Sequence, residues 1–304
     1  MIIALKKLTN NKWSIAATIV VAIYLFMAIA TELYGIYCDN FDIIPIYAQT
    51  NDTAKYAAPS FKHLLGTDYQ GRDVLFRAIA GCATAVKVGV ISATIASIIG
   101  VVLGLLAGFK GGKFDDIVVW IYSTFASMPT LLFILAFALL VSRDYLSPNI
   151  LLGVKTISSF LRLEPGMLAV YVAIGITGWV SLCRVVRSES MKLKNVAFVE
   201  AAKVAGVNEV VILFKHILPN VFHLVIIYFT LNFAGAVMLE VIVSFLGFGV
   251  QSAPSWGVMI SDGQTRLWRG IWWELTTAST FMFVLILALN ILGDALRDAL
   301  DPKM

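Results

Sequence analysis

The chain has 304 residues, 59% of them hydrophobic and only 14% charged, with a formal net charge of +4. That balance is far from the norm for soluble domains and indicates a polytopic membrane protein. The small positive excess requires no nucleic acid, because a bias of Lys and Arg toward one side of a membrane accounts for it.

Six uncharged apolar runs are long enough to cross about 30 Å of hydrocarbon. They are Trp13 to Thr31, Val88 to Phe109, Ile117 to Ser142, Pro165 to Cys183, His216 to Leu239 and Leu275 to Gly293. An even number places both termini on one side. Lys6, Lys7 and Lys12 precede the first run with no acidic residue among them, which assigns that side to the cytoplasm. The basic start, the apolar run and Ala28-Ile29-Ala30 also fit a cleaved signal peptide, but the length of the run favours a retained span.

Residues 34–62 read as a polar external segment. In the stretch His63 to Gly81, Gly66 and Gly71 punctuate the chain, and Thr67 and Asp68 are turn or cap formers. Val74, Leu75, Ala78 and Ile79 share one helical face, with Arg72, Asp73 and Arg77 elsewhere, so the pattern predicts an interfacial helix under the outer headgroups. In the second span Gly100, Gly104 and Gly108 recur every four residues and form a small-residue face for close helix packing. The turn Lys110-Gly111-Gly112-Lys113 is not a phosphate loop: Ala107 and Phe114 stand where Gly and Ser or Thr are needed. If ATP is used, a separate chain must bind it.

Met128-Pro129 predicts a kink in the third span. The loop Arg143 to Glu164 is apolar enough to dip into the membrane. Gly175, Gly178 and Trp179 lead to Arg184 and Arg187, which close the fourth span and anchor it.

The interval Glu200 to Asn220 is the most informative. Ala197, Ala201 and Ala205 make a small-residue stripe on one short helix, and Gly206 supplies a left-handed C-cap. Asn208 caps a second helix, with Glu209 at its positive dipole end. Val210, Leu213, Phe214, Ile217 and Leu218 share an apolar face, and Pro219 predicts a break before the fifth span. Spacing alone leaves two readings open, a docking knob or an amphipathic loop on the membrane surface. In the fifth span, Asn232 and the span-end Glu240 are candidate pathway residues, Glu240 otherwise resting at the outer interface. Val241 to Ser261 is rich in Gly and Ser and suits an external re-entrant or surface segment. Arg297 with Asp294, Asp298 and Asp301 forms a short charged C-terminal cap. Cys38, Cys82 and Cys183 show no metal or redox spacing, a Cys38–Cys82 disulfide remaining an alternative, and His63, His216 and His223 form no ligand set.

Several of these motifs resemble one family. Glu200-Ala201-Ala202, Gly206 and Leu218-Pro219 are similar to the EAA loop of permease subunits of ATP-binding-cassette importers. His216 stands where the general pattern has Ile, and the ending HILPN resembles the dipeptide, oligopeptide and nickel branch. Gly66-Thr67-Asp68 followed by Gly71-Arg72-Asp73, the spacing of Trp179, Arg184 and Arg187, the stretch Ser244 to Ile260, and Gly293 to Pro302 match the same branch. Val180 departs from it where relatives often carry Pro.

The resemblance implies an all-α membrane protein with six transmembrane helices and the type I ABC importer permease fold. Residues 1–83 would supply the first span, the external segment and the interfacial helix. Residues 84–304 would form the permease domain, with a cytoplasmic coupling loop at 184–219. It further implies a second permease of similar fold, two cytoplasmic ATPase subunits that bind ATP and Mg, and an external solute-binding protein. This chain would itself be non-catalytic and carry no cofactor or metal. It would lie in the lipid bilayer of the bacterial inner membrane with both termini cytoplasmic. Peptides lead as cargo, with nickel or peptide-like antibiotics as alternatives. An ion-driven secondary transporter would want ionisable residues at mid-span, and an intramembrane enzyme paired carboxylates or a nucleophile with its base; the spans offer neither.

Overall fold

A computed structural model describes residues 11–142, 148–163, 165–249 and 253–300. Among these residues the chain is helical, without a named strand. Helix α1 spans Lys12–Asn40, opened by Asn11, whose side chain accepts from the Trp13 amide. The long α2, Val74–Lys110, runs uninterrupted for 37 residues, about 55 Å at 1.5 Å per residue. The helix expected to lie separately under the headgroups is therefore the first turns of this span. Asp73 caps it, accepting from the Leu75 and Phe76 amides, and no proline follows Val74 to break the helix before Lys110.

Helices α3 (Gly112–Ser127) and α4 (Thr130–Ser142) are bent 90° from each other. Pro129 explains the sharpness: it lacks an amide donor and pushes Met128 into an extended conformation (ψ 138°). Helix α5 is Pro148–Phe160 and α6 is Pro165–Leu193; Arg143 and Glu164, which bound the expected membrane-dipping loop, lie outside the described residues. The short α7 is Ala197–Val204, and α8 runs continuously over Glu209–Phe245. Helices α9 (Trp256–Gln264) and α10 (Trp273–Leu300) complete the fold. Among the described residues five helices are individually long and apolar enough to cross a membrane, and the bent α3–α4 pair meets the same measure only when its two arms are taken together, as a broken span or a re-entrant loop.

The expected break at Pro219 is absent. Residues Ile212–Ile217 form π-helical turns, in which the Leu218 amide reaches back to the Leu213 carbonyl. This wider winding accommodates a ring that would clash with an α-helical carbonyl one turn back. The Asn220 side-chain amide then donates to the His216 carbonyl at 2.6 Å.

At the centre, α2 and α6 pack along the glycine stripe. Gly100 faces Trp179 and Leu182, Gly104 faces Cys183 and Val186, and Gly108 faces Arg187 and Ser190. Ser92 Oγ donates to the Tyr171 carbonyl and Ser190 Oγ to the Leu105 carbonyl across the same seam. Tyr24, Trp256 and Phe281 form an aromatic triangle with centroids 6.0–6.3 Å apart, joining α1, α9 and α10. The stretch expected as a re-entrant or surface segment thus divides. Val241–Phe245 completes α8, and Trp256 is buried, donating to the Ala78 carbonyl of α2. Cys38, Cys82 and Cys183 are buried free thiols, so the alternative of a Cys38–Cys82 disulfide does not hold. At the C-terminal end α10 continues to Leu300, which makes Asp294, Arg297 and Asp298 its last turns; Asp301 lies outside the described residues.

Candidate functional site

Helix α7 is closed at its C-terminal end by backbone geometry. The Val207 amide donates to the Ala202 carbonyl and the Gly206 amide to Lys203, the two bonds of a Schellman cap. Gly206 takes φ +73° to make this turn. Asn208 Oδ1 then accepts from the Val210 amide at 2.9 Å and opens α8. The angle between α7 and α8 is therefore set locally, as the cap residues predict.

One face of α7 is anchored. Val199 is fully buried in a cluster with Leu105 and Phe109 of α2, Leu182 and Val186 of α6, and Ile212, Leu213, Ile217 and Val221 of α8. Lys203 crosses above the Phe109 ring at 5.1 Å and donates to the Lys194 carbonyl. Arg187, read from the sequence as an anchor, forms a two-pronged ion pair with Asp115 in the first turn of α3. Arg184 lies 4.8 Å over the Tyr122 ring. The opposite side of α7 and its cap is bare: Glu200, Ala201, Ala205 and Gly206 are exposed and Val204 is 90% exposed, and Phe214 in the first turns of α8 is 53% exposed. Ala202, His216 and Leu218 are half-buried at the base, and Pro219 is exposed. The expected loop residues thus form one element, with a rigid apolar seat beneath and an unpartnered rim of apolar and acidic groups above.

The Gly66–Asp73 motif sits at the other end of the bundle. Gly66 and Gly71 both take φ +73°, and a Cβ on Gly71 would lie 1.9 Å from the Asn51 carbonyl oxygen, so only glycine fits. Thr67 Oγ1 accepts from the Ala57 amide and donates to the Ala54 carbonyl. The Asp68 carboxylate accepts from the Gln70 and Arg72 amides, from Arg72 Nε at 2.7 Å and from Arg77 at 2.6 Å. Arg77 also donates to Glu274 at the start of α10 at 3.0 Å. Arg266 approaches the other Glu274 oxygen at 3.5 Å and donates to the Asp262 carbonyl. Asp73 caps α2 with one oxygen and meets His63 Nδ1 with the other, and Trp273 Nε1 donates to the Thr67 carbonyl.

Asp68, Arg77 and Glu274 are buried. The motif staples the segment between α1 and α2 to α2, α9 and α10 through compensated charge. Sequence reading missed Arg77, Arg266 and Glu274 as partners of this motif. Their signal was present, in an arginine beside the apolar face after Asp73 and a carboxylate at the mouth of the last span.

The two pathway candidates part company. Glu240 is buried and accepts from Ser244 Oγ at 2.7 Å and Ser255 Oγ at 2.8 Å. Ser255 in turn caps α9, so the carboxylate joins α8 to α9 rather than resting at an interface. Asn232 instead lines a cavity of about 240 Å³ with Ser92, Thr130, Thr177 and Ser181. No group of three or more His, Cys, Asp or Glu positioned to hold a metal occurs among the described residues.

Residues 100–304 match the family described as binding-protein-dependent transport system inner membrane component. Relatives extend the match over nearly the whole chain. The dipeptide transport system permease protein of Bacillus subtilis is 33% identical over 99% of this chain and 85% of its own length. The oligopeptide transport system permease proteins of Haemophilus influenzae and Escherichia coli K12 are 33% and 34% identical over 99% of this chain, and over 88% and 90% of their own. With the family matched over about two thirds of the chain, and these relatives aligned from end to end, the protein belongs to the binding-protein-dependent transport system inner membrane components, the permeases of ATP-binding-cassette importers.

Proposed function

We propose that this chain forms half of the translocation pathway of an ATP-driven importer of di- or oligopeptides, docking on a cytoplasmic ATPase through Glu200–Pro219. The observation that carries this reading is the coupling element itself. One face of α7 is locked to α2, α6 and α8 through Val199, while Glu200, Val204 and Phe214 on the other side are exposed and unpartnered. Val204 and Phe214 leave apolar surface exposed where α7 meets the start of α8, and apolar surface left bare on a rigid element calls for a protein partner. The peptide assignment draws on the names of these relatives, a dipeptide and an oligopeptide transport system permease.

The working complex then contains a second permease, two ATPase subunits holding ATP and Mg, and an external solute-binding protein. The loop and both termini lie in the cytoplasm of a bacterial cell, and the chain itself is non-catalytic. Closure of the ATPase pair on ATP draws the two docking loops together. Because α7 is joined to three spans by packed side chains, its displacement moves those spans as a body. The coupling free energy is the difference in loop contact between the two ATPase states.

The test is reconstitution with the products of neighbouring genes, measuring ATP hydrolysis with and without peptide-loaded binding protein. Glu200→Arg and Gly206→Pro are expected to insert normally and to abolish stimulation. Stimulation and uptake that survive both changes would reduce the loop to a surface helix and favour an ion-driven mechanism.

A further inference from the structure

The Asn232 cavity continues into a second of about 200 Å³, and the two share Thr130, Thr177 and Ser181. Together they form a trough lined by α2, α3, α4, α6 and α8, beside the 90° bend between α3 and α4. Thr130, Ser181 and Arg184 are exposed on this face. Thr130 lies within the third apolar run, and Ser181 and Arg184 lie toward the end of the fourth; hydroxyls and a guanidinium grouped on one exposed face suit water or protein rather than lipid. Asn232 Nδ2 is buried and has no hydrogen-bond partner in the chain, so a donor at the wall of the trough is left unfilled. Among the described residues lining the trough, Arg184 alone is ionisable.

The chemistry is specific in what it offers. Hydroxyls and a carboxamide provide neutral donors and acceptors matched to peptide amides, and a guanidinium at one end suits a carboxylate. Imidazole and thiolate, the groups that favour nickel, are missing from the lining. Thr177 and Arg184 are seven residues apart on α6, about 10 Å along its axis. An extended peptide covers about 3.3–3.6 Å per residue, so this span holds two or three residues.

Resting on the peptide-import reading, we propose that this trough is a transit subsite that holds short peptides by their backbone. Asn232 and the Thr177 and Ser181 hydroxyls meet the amides, and Arg184 receives the terminal carboxylate. Side chains are left unread, so selection among them falls to another component.

The test uses the full reconstituted transporter and a tripeptide in free-acid and C-terminally amidated forms. The wild type should take up the free acid about tenfold faster than the amide, the scale of one charge-assisted hydrogen bond. Arg184→Gln should bring that ratio close to one, and Arg184→Lys should restore most of it, separating charge recognition from loss of the Tyr122 contact. Asn232→Leu should slow uptake of both forms about tenfold. Ser181→Cys, at an exposed position, should react with a membrane-impermeant thiol reagent more slowly when peptide is present. An unchanged ratio in Arg184→Gln, normal uptake by Asn232→Leu, or labelling of Ser181→Cys indifferent to peptide overturns the subsite while leaving peptide import standing. A wild-type complex that imports no peptide overturns both.

Discussion

Adding one methyl group at Gly108 probes the seam on which the fold is built. An alanine Cβ there would lie 2.4 Å from the Arg187 carbonyl oxygen and 2.7 Å from Ser190 Cβ. At Gly104 the corresponding approach is 2.8 Å to the Cys183 carbonyl, and at Gly100 it is 3.0 Å to the Trp179 carbonyl. The obstacles are backbone atoms, which cannot rotate aside. Helices α2 and α6 must therefore separate by about 1 Å at Gly108 and by a few tenths at Gly100, and gaps of 0.5–1 Å forfeit about a quarter to a half of each neighbouring contact. Overpacking of this kind costs about 1–3 kcal/mol, offset by about 1 kcal/mol from alanine's better helix propensity. The net expectation is near zero for Gly100→Ala, about 1 kcal/mol destabilising for Gly104→Ala and about 2 kcal/mol for Gly108→Ala.

The buried free thiols Cys38, Cys82 and Cys183 supply the assay. A thiol-reactive dye added to detergent-purified protein reports their exposure on heating, and melting temperatures should fall in the order Gly100→Ala, Gly104→Ala, Gly108→Ala. Equal shifts, or the largest at Gly100, would refute the reasoning, because the seam would then be loose or differently registered.

Three further outcomes follow from the geometry. Arg77→Ala leaves Asp68 and Glu274 buried without their shared guanidinium and should destabilise by about 3–5 kcal/mol; a melt within a degree of wild type would contradict the staple. Glu240→Gln keeps an oxygen able to accept from both serines, whereas Glu240→Leu strips Ser255 of its acceptor and should cost about 1–3 kcal/mol more, read in the same dye assay as two separate shifts. Val199→Asp forces a carboxylate into the seat of α7, a cost of several kcal/mol that detachment relieves. Tryptic cleavage at Lys203 should accelerate and uptake should be lost with the protein still inserted, and unchanged protection would show that α7 is not held by this side chain.

The apolar helices, the glycine stripe and the caps at Gly206 and Asn208 were legible in the chain because each depends on residues within a few positions of one another. Gly100, Gly104 and Gly108 share a face by helical period alone, and Gly206 and Asn208 set their turn through backbone bonds to near neighbours. Pro219 and the Val74 helix were misread for the complementary reason. A π-helical turn can absorb a proline, and nothing local says whether a short apolar face continues as a span. Arg72 meets Asp68 only four residues away, but the other buried charges belong to the tertiary structure. Arg77 finds Glu274 across 197 residues and Arg187 finds Asp115 across 72, while Glu240 meets Ser255 only because α9 folds back against α8. In a low-dielectric bundle every buried charge needs a partner. Which partner it finds depends on how far each helix is rotated and where it crosses the next, and that is determined by packing among distant segments.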